Sequence, residues 1–215
     1  MAKAHGKGNY KTPISLLLVE GTTEELFYER IKSVLLSDYR ITIRRNMEGL
    51  FNINKKVINA IYNYCQEHED EQVKVYCCLD RESRYGQVPG WDIKMVSKHI
   101  VEQNITNVLS IDEIIATQQI ESWFLYDIKG IFVFLRTPKA KRNIKAFCPP
   151  EKYSYKDLER LFRRYDKSYN KGQTGKNLIN HLDIDKIVSG CRELRQGIEK
   201  IKSQANDMTN HLFSK

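Results

Sequence analysis

Short apolar runs alternate with amphipathic stretches over the first half of the chain. Apolar runs typical of strands lie at residues 14–19, 73–79 and 107–111, and residues 40–44 alternate between polar and apolar as a strand does. Between these runs, apolar residues recur at helical spacing over residues 22–36, 53–64 and 91–101. Because such strand–helix alternation builds parallel strands covered by helices, we predict an α/β fold with a mainly parallel sheet of about four strands.

The hydrophobic pattern changes after residue 111. Residues 114–135 form a long apolar and aromatic segment without clear turn signals that would separate strands. We interpret this segment as one or two buried helices. The remaining apolar positions predict helices at residues 155–165, 175–181 and 184–201. We therefore expect an α/β core at residues 12–112, a helical extension packed on it at residues 113–205, and a frayed tail at residues 206–215.

Positive charge is concentrated in one part of this extension. The chain has a net charge of +8, and residues 136–176 alone contain thirteen Lys or Arg against four Asp or Glu. This segment therefore carries +9, and the rest of the chain sums to −1. A solvated helix face is one explanation of such a segment. A surface for an anionic partner is the other, and nucleic acid, DNA or RNA, is the first candidate.

Six cations of the basic segment are candidate nucleic-acid ligands: Lys141, Arg142, Arg163, Arg164, Lys167 and Lys171. Tyr165 and Tyr169 stand among them and could stack on bases. Trp123 belongs to the apolar segment, and its pattern favours a place in the core over a stacking role.

Cysteine, histidine and hydropathy patterns argue against several classes of protein. The five cysteines form no C-x-x-C pair and the five histidines show no ligand spacing, so we expect free thiols and no zinc. No stretch approaches the roughly 20 apolar residues of a membrane span, and the first residues are basic without an apolar signal core. We expect a cytoplasmic protein without a membrane partner.

Two of the predicted strands end in carboxylates. Glu20 follows the first strand, and Gly21 permits the turn into the next helix. Asp80 and Glu82 end another strand, and residues two apart in extended backbone point to the same side. Because parallel strands bring their carboxyl ends to one edge of a sheet, we expect these acids to meet there.

Crowded carboxylates repel, so one of them holds a proton near neutral pH unless a cation lies between them. Oxygen ligands of this kind suit Mg²⁺, with Mn²⁺ as an alternative ion. The opposing interpretation is an exposed acidic turn in which Arg81 neutralises Asp80 and Glu82.

Three further acids need separate explanations. Glu25 could complete a capping box with Thr22, and Glu24 suits the first turn of the same helix. Glu121 lies in the apolar segment, where an isolated carboxylate is costly to bury. It is either a further metal ligand or general base, or a carboxylate paired with an arginine at the edge of the core.

The order strand, E-G-x-x-E, helix, then a hydrophobic strand ending in D-x-D or D-x-E, resembles the Toprim domain. The segment L-L-V-E-G-T-T-E-E is most similar to the nuclease branch, which includes overcoming-lysogenization-defect nucleases and small stand-alone nucleases. The resemblance covers residues 14–111 and implies that residues 12–112 are a catalytic core. Residues 119–127 (Q-I-E-S-W-F-L-Y-D) and 165–172 (Y-D-K-S-Y-N-K-G) are similar to segments of stand-alone Toprim-like proteins, many of them linked to defence against phage.

The family's roles fall on matching positions of this sequence. Glu20 would act in acid/base catalysis or metal binding, Asp80 and Glu82 would bind Mg²⁺, and Glu24 matches the second acid of the nuclease-type motif. This sequence has D-R-E where the stricter pattern has D-x-D, and Glu82 still offers a carboxylate.

From these observations we expect a metal-dependent endonuclease that cleaves DNA or RNA, with tRNA among the candidates, in prokaryotic anti-phage defence. Catalysis would involve Glu20, Asp80, Glu82 and Glu121. One alternative is a nucleic-acid-binding module that keeps the fold without the chemistry. Another is an effector or toxin subunit activated by a partner ATPase, and a non-enzymatic scaffold is a third. A nuclease of this size that cuts both strands would also be expected to form a homodimer.

Overall fold

A computed structural model of the protein describes residues 12–45, 51–171 and 173–213, with side chains described as far as residue 203. Its centre is a sheet of four parallel strands: β1 (Ile14–Val19), β2 (Ile41–Arg45), β3 (Val73–Asp80) and β4 (Val108–Ala116). The strand order is β2-β1-β3-β4, so β1 and β3 lie at the centre. All four carboxyl ends therefore meet at one edge of the sheet, which we call the carboxyl edge.

Nine α-helices are found in the described part of the chain. Three connect the strands: α1 (Thr22–Leu35), α2 (Ile53–Glu67) and α3 (Ile93–Glu102). Six follow the sheet: α4 (Glu121–Phe124), α5 (Ile128–Phe134), α6 (Tyr155–Arg163), α7 (Gln173–His181), α8 (Ile184–Gly190) and α9 (Arg192–Phe213). Short 3₁₀ turns join several of the later helices.

The central strand β1 is buried on both faces, because successive side chains of a strand point to opposite sides. Leu16 and Leu18 pack with the apolar faces of α2 and α3. Leu17 and Val19 pack on the other face, with α1 and the helices that follow the sheet. One face is thus covered by two helices, and the opposite face carries the whole C-terminal extension.

The predicted fold class is confirmed: the protein is α/β, with a four-stranded parallel sheet flanked by helices and a C-terminal helix. This architecture is consistent with the Toprim-like fold expected from the sequence. The division at residues 12–112, 113–205 and 206–215 stays a prediction.

Two predicted elements differ from the structure. Residues 114–116 were expected in a helix but continue β4 to Ala116, because Cys78, Leu79 and Asp80 of β3 pair with them. The helix expected at residues 184–201 is interrupted at Cys191, which lies between α8 and α9. Within the described chain, no helix combines the length and apolar character needed to cross a membrane.

Candidate metal centre

Three carboxylates converge at the carboxyl edge. Glu20 follows β1 directly, Asp80 is the last residue of β3, and Glu82 stands two residues further on. One oxygen from each of the three lies within 4.8 Å of the others. Glu20 and Asp80 emerge side by side because β1 and β3 are paired neighbours, with Val19 opposite Cys78. The predicted meeting of Glu20, Asp80 and Glu82 is therefore found.

Glu82 joins this group through a backbone conformation that the sequence did not predict. Its backbone is left-handed, with φ of 58°, and not extended. A non-glycine residue adopts this conformation at a cost of roughly 1–2 kcal/mol. Two backbone bonds hold it: Arg81 N donates to Ala116 O at 2.9 Å, and Glu82 N donates to Gln118 O at 2.7 Å. The loop after β3 is thus pinned to the loop after β4, and Gln119 Nε2 also donates to Glu82 Oε2 at 3.0 Å.

Asp80 is the most enclosed of the three acids, with 4% of its surface exposed. Its Oδ1 accepts a hydrogen bond from Ile120 N at 3.0 Å. Burial raises the pKa of Asp80 well above its ordinary value, and the charges of Glu24, Glu121 and Glu20 raise it further. Without a cation beside it, Asp80 therefore favours the protonated form.

Glu20 has a similar electrostatic environment. Burial, followed by the charges of Glu24 and Glu82, raises the pKa of Glu20 to about 7. Its Oε1 is buried and accepts no hydrogen bond from any described residue. A buried carboxylate oxygen without a partner has a large desolvation cost, which a bound cation would remove.

Glu24 lies beside this group in the first turn of α1 and is buried. A Cβ atom placed on Gly21 would lie 2.8 Å from Glu24 Oε2, so the close approach of this carboxylate requires glycine. The predicted capping box is wrong. Gly21 is the N-cap, and Arg45 Nη1 contacts both Thr22 Oγ1, at 2.6 Å, and Glu25 Oε2, at 3.5 Å.

Glu121 is fully buried at the start of α4. Its Oε1 lies 3.5 Å from Lys171 Nζ, so its ion-pair partner is a lysine and not the arginine considered from the sequence. Burial raises the pKa of Glu121 and Lys171 lowers it, with a net value of about 7. Glu121 influences the pKa of Asp80, although it is not one of the three converging carboxylates.

Lys171 is a cation at this acidic edge. Burial lowers the pKa of Lys171, but the charges of Glu121, Glu24 and Asp80 outweigh that effect and leave it raised. Its ammonium also lies 5.5 Å from the centre of the Tyr155 ring. Lys171 was predicted as a nucleic-acid ligand on charge alone, and the structure places it beside the acids. Gly172, the last residue of the motif that contains Lys171, lies outside the described residues.

Arg81 stands between two of the acids in sequence but turns toward α9. Its Nη2 lies 4.0 Å from Glu193 Oε1, and its Nη1 donates to Thr117 Oγ1 at 3.3 Å. Thr117 in turn donates to Glu193 through its hydroxyl at 2.6 Å and its backbone N–H at 3.2 Å. Among the described residues, the ion pair of Arg81 is therefore with Glu193 and not with Asp80 or Glu82. Sequence reasoning missed Thr117 and Glu193, because nothing local to either residue indicates this contact.

The other five predicted nucleic-acid ligands differ in their surroundings. Lys141 and Arg164 are exposed, while Arg163 is paired with Glu159 at 2.8 Å. Arg142 Nε donates to Thr137 O at 2.9 Å, and Lys167 Nζ donates to Phe134 O at 3.2 Å. Their role in binding nucleic acid stays a prediction.

The aromatic residues of the basic segment do not form a stacking surface. Tyr169 is buried against Phe162, and Tyr165 packs edge-on against Phe132. Trp123 is buried in the core, as its sequence context favoured.

The basic segment nevertheless reaches the carboxyl edge through its backbone. Gln118 Nε2 donates to Glu151 O at 3.0 Å, and Tyr155 N donates to Gln119 Oε1 at 3.2 Å. Arg84, two residues after Glu82, donates to Lys152 O. The loops that carry the acids are thus in contact with the segment that carries the excess positive charge.

Fold and site together define an α/β protein whose parallel sheet gathers an acidic cluster at its carboxyl edge. The model of one protein family, the domain of unknown function DUF4276, matches residues 19–202. The chain belongs to this family. A search of the curated proteins finds no match. Among solved structures, the C-terminal region of the Xanthomonas campestris pv. campestris OLD protein is similar, with 16% identity and a TM-score of 0.43 over 91% of this chain and 97% of that chain.

Proposed function

We propose that the protein is a metal-dependent endonuclease of the Toprim type that cleaves phosphodiester bonds in DNA or RNA. The convergence of Glu20, Asp80 and Glu82 within 4.8 Å is the observation that carries the proposal. The resemblance of the strand-end motifs to the nuclease branch of the Toprim domain supports it. That resemblance also motivates a role in prokaryotic anti-phage defence.

The donor set fits a hard divalent cation. Mg²⁺ binds through one or two carboxylates and keeps several waters for contact with substrate phosphate. Three carboxylates supply such ligands here, and Glu20 Oε1 is buried without a partner in the described part of the chain. Glu24 stands near enough to raise the pKa of both Glu20 and Asp80. We therefore assign Mg²⁺, or Mn²⁺, to Glu20, Asp80 and Glu82, with Glu24 as a further candidate ligand.

When bound, Mg²⁺ supplies charge stabilisation at the scissile phosphate and lowers the pKa of a coordinated water. The chain supplies the other requirements. Burial raises the pKa of Glu121 to about 7 in the metal-free protein, which makes Glu121 our candidate for accepting or releasing a proton. Lys171 is cationic and half exposed, so it can offset negative charge on the phosphate as the bond breaks.

The basic segment supplies the complementary surface for nucleic acid. Residues 136–176 carry a charge of +9, and their backbone contacts the loops that hold the acids. Phosphate contacts from such a segment give affinity that is independent of sequence and sensitive to salt. Lys141 and Arg164 are exposed and suit this role best.

The test is a cleavage assay in Mg²⁺ and in Mn²⁺ on plasmid, single-stranded DNA, RNA and tRNA. Wild type is compared with Asp80→Ala and Glu20→Gln, and Glu69→Gln, an exposed acid distant in sequence from the site, is the control. We expect metal-dependent cleavage by wild type and the control, and at least a hundredfold loss in the two site variants. Equal activity in all four proteins would overturn the assignment.

Three further measurements bear on this proposal. Salt-sensitive binding without cleavage in any metal would favour a binding module over an enzyme. Cleavage that appears only after addition of a partner ATPase would support an effector subunit. Homodimerisation, which is also expected from the sequence, is measured by analytical ultracentrifugation.

A further inference from the structure

Two exposed aromatic rings lie on loops at the carboxyl edge. Tyr85 is 85% exposed and Phe51 is 83% exposed, and among the described aromatic residues only Tyr62, at 43%, is otherwise classed as exposed. Tyr85 lies three residues after Glu82 in the loop that follows β3. Phe51 stands two residues before α2 begins. Because the strands are parallel, the loop that carries Tyr85 leaves β3 at the edge that carries the acids, and α2, which connects β2 to β3, begins on that side of the sheet.

The two loops are tied together and lie close to the acids. Asn54 Nδ2 donates to Gly90 O at 3.0 Å, and Asp92 N donates to Asn54 Oδ1 at 2.9 Å. These bonds join the first turn of α2 to the end of the loop that carries Tyr85. Lys56, in the next residues of α2, lies near enough to lower the pKa of Glu20. The start of α2, which Phe51 precedes, therefore lies on the side of the sheet that carries Glu20.

The surroundings of Tyr85 suit a nucleic acid better than a protein surface. Residues 82–87 are all exposed, and Tyr85 stands there among Ser83, Arg84, Gly86 and Gln87. Large contiguous apolar patches mark protein docking surfaces, whereas the ring of Tyr85 projects from a polar loop. An exposed ring beside a cation is the arrangement by which proteins stack on bases and contact the neighbouring phosphate. Arg84 is that cation, and its bond to Lys152 O holds it against the basic segment.

We propose that Phe51 and Tyr85 stack on unpaired bases beside the scissile phosphate, so that the substrate is single-stranded DNA or RNA. This inference rests on the proposed nuclease function and names its substrate class. The physical reason is that bases inside a duplex already stack on each other and leave no face for a protein ring. The rings that the basic segment contributes are buried or packed, so the stacking surface lies on the loops of the sheet.

The test measures binding of a fluorescent oligonucleotide by anisotropy, as a single strand and as a duplex of the same sequence, with Ca²⁺ in place of Mg²⁺. Wild type is compared with Phe51→Ala, Tyr85→Ala and the double variant. Tyr62→Ala is the matched control, because Tyr62 is an exposed ring in the middle of α2. We expect single-strand affinity to fall about tenfold for each ring removed and to recover in Phe51→Trp and Tyr85→Phe. Duplex affinity and the Tyr62→Ala control should stay unchanged.

Three results would overturn the stacking proposal. They are unchanged single-strand affinity in the double variant, equal affinity of wild type for single strand and duplex, and a change in self-association without a change in oligonucleotide binding. The last result would assign the rings to a protein interface. Because both rings are exposed, their replacement should leave thermal unfolding unchanged, which a melting curve verifies.

Measurements of binding and of cleavage distinguish the nuclease proposal from the stacking proposal. If Asp80→Ala abolishes cleavage while the double ring variant binds and cleaves single strands normally, the nuclease stands and the stacking surface fails. If the rings are needed for binding and no metal supports cleavage, the stacking surface stands and the nuclease fails.

Discussion

Lys171 Nζ lies 3.5 Å from Oε1 of Glu121, a carboxylate that is completely buried. Glu121 begins α4, whereas Lys171 lies after α6 and before α7, and the sequence explains the two residues separately. Their pairing places a cation at the acidic edge, where it lowers the pKa of Asp80 as well as that of Glu121. Lys171 thereby links the basic segment to the candidate metal centre.

Replacing this lysine should impair cleavage more than binding. In Lys171→Met, Glu121 loses the charge that lowers its pKa, so it should be protonated at neutral pH. We expect kcat to fall by about 10²-fold, the scale of losing one electrostatic contact at a reacting group. Lys171→Arg should retain part of the activity, and Lys98→Met, at an exposed ion pair of α3, should behave as wild type. A lower affinity with unchanged kcat would show that Lys171 only holds the nucleic acid.

The pH dependence of stability should reveal the crowded acids. The pKa of Glu20 is raised from its ordinary value of 4.5 to about 7, so the folded state holds this proton more tightly than the unfolded state. As pH rises through this interval, the unfolded state loses its proton first, and the free energy of unfolding therefore decreases. In EDTA, the melting temperature should fall between pH 4.5 and 7, and Glu20→Gln should reduce that slope.

A bound metal ion should reverse the decrease in stability that occurs as pH rises. A divalent cation binds the ionised carboxylates and stabilises the folded state by mass action. Adding Mg²⁺ or Mn²⁺ should therefore raise the melting temperature more at pH 8 than at pH 5. An equal shift at both pH values, or a shift that persists in Asp80→Asn, would place the bound metal elsewhere.

Glu193 should act on the metal centre from a distance. Its carboxylate binds Thr117 and lies near Arg81, and these residues belong to the two loops that bring Glu82 to Asp80. In Glu193→Gln we expect Mn²⁺ affinity, measured by isothermal titration calorimetry, to fall about tenfold, the scale reported for outer partners of metal ligands. Glu199→Gln, an exposed position on the same helix, is the control. Equal affinity in both variants would show that the contact serves stability alone.

Gly21 should tolerate no side chain while Glu24 keeps its position. In Gly21→Ala, the new Cβ would lie 2.8 Å from Glu24 Oε2, and the backbone itself is compatible with alanine, since φ is −133°. We expect a destabilisation of about 1 kcal/mol, the low end of overpacking, because the obstructing atom ends a flexible side chain. In urea unfolding, Glu24→Ala should cancel this loss in the double variant. Additive losses would mean that the two residues are independent.

The cations of the basic segment should separate into two groups. Lys141 and Arg164 are exposed, so Lys141→Ala and Arg164→Ala should each reduce the salt dependence of binding by about one unit of slope. Arg142 and Lys167 donate to backbone carbonyls of the extension, so their replacement should lower the melting temperature as well. Similar behaviour of all four variants would show that the basic face binds as a whole.

The amino-acid sequence by itself determined the parallel sheet and the positions of its strand-end acids. The reason is local: apolar runs of strand length, alternating with helical spacing, dictate parallel strands, and parallel strands place Glu20 and Asp80 at the same edge. Neither the parallel sheet nor the placement of Glu20 and Asp80 depends on a contact between particular side chains far apart in the sequence. Glu82 does lie beside Asp80, as expected, but the expected reason was wrong. The expectation assumed extended backbone, whereas the backbone of Glu82 is left-handed.

Only the tertiary structure decided how the rest of the site is assembled. The pairing of Lys171 with Glu121 and the turning of Arg81 toward Glu193 both join residues that are far apart in sequence. Periodicity reports which face of an element is apolar, but not which distant side chain packs against it. Those contacts follow from how the C-terminal helices pack on one face of the sheet. This packing buries Glu121 and places Lys171 beside the strand-end acids.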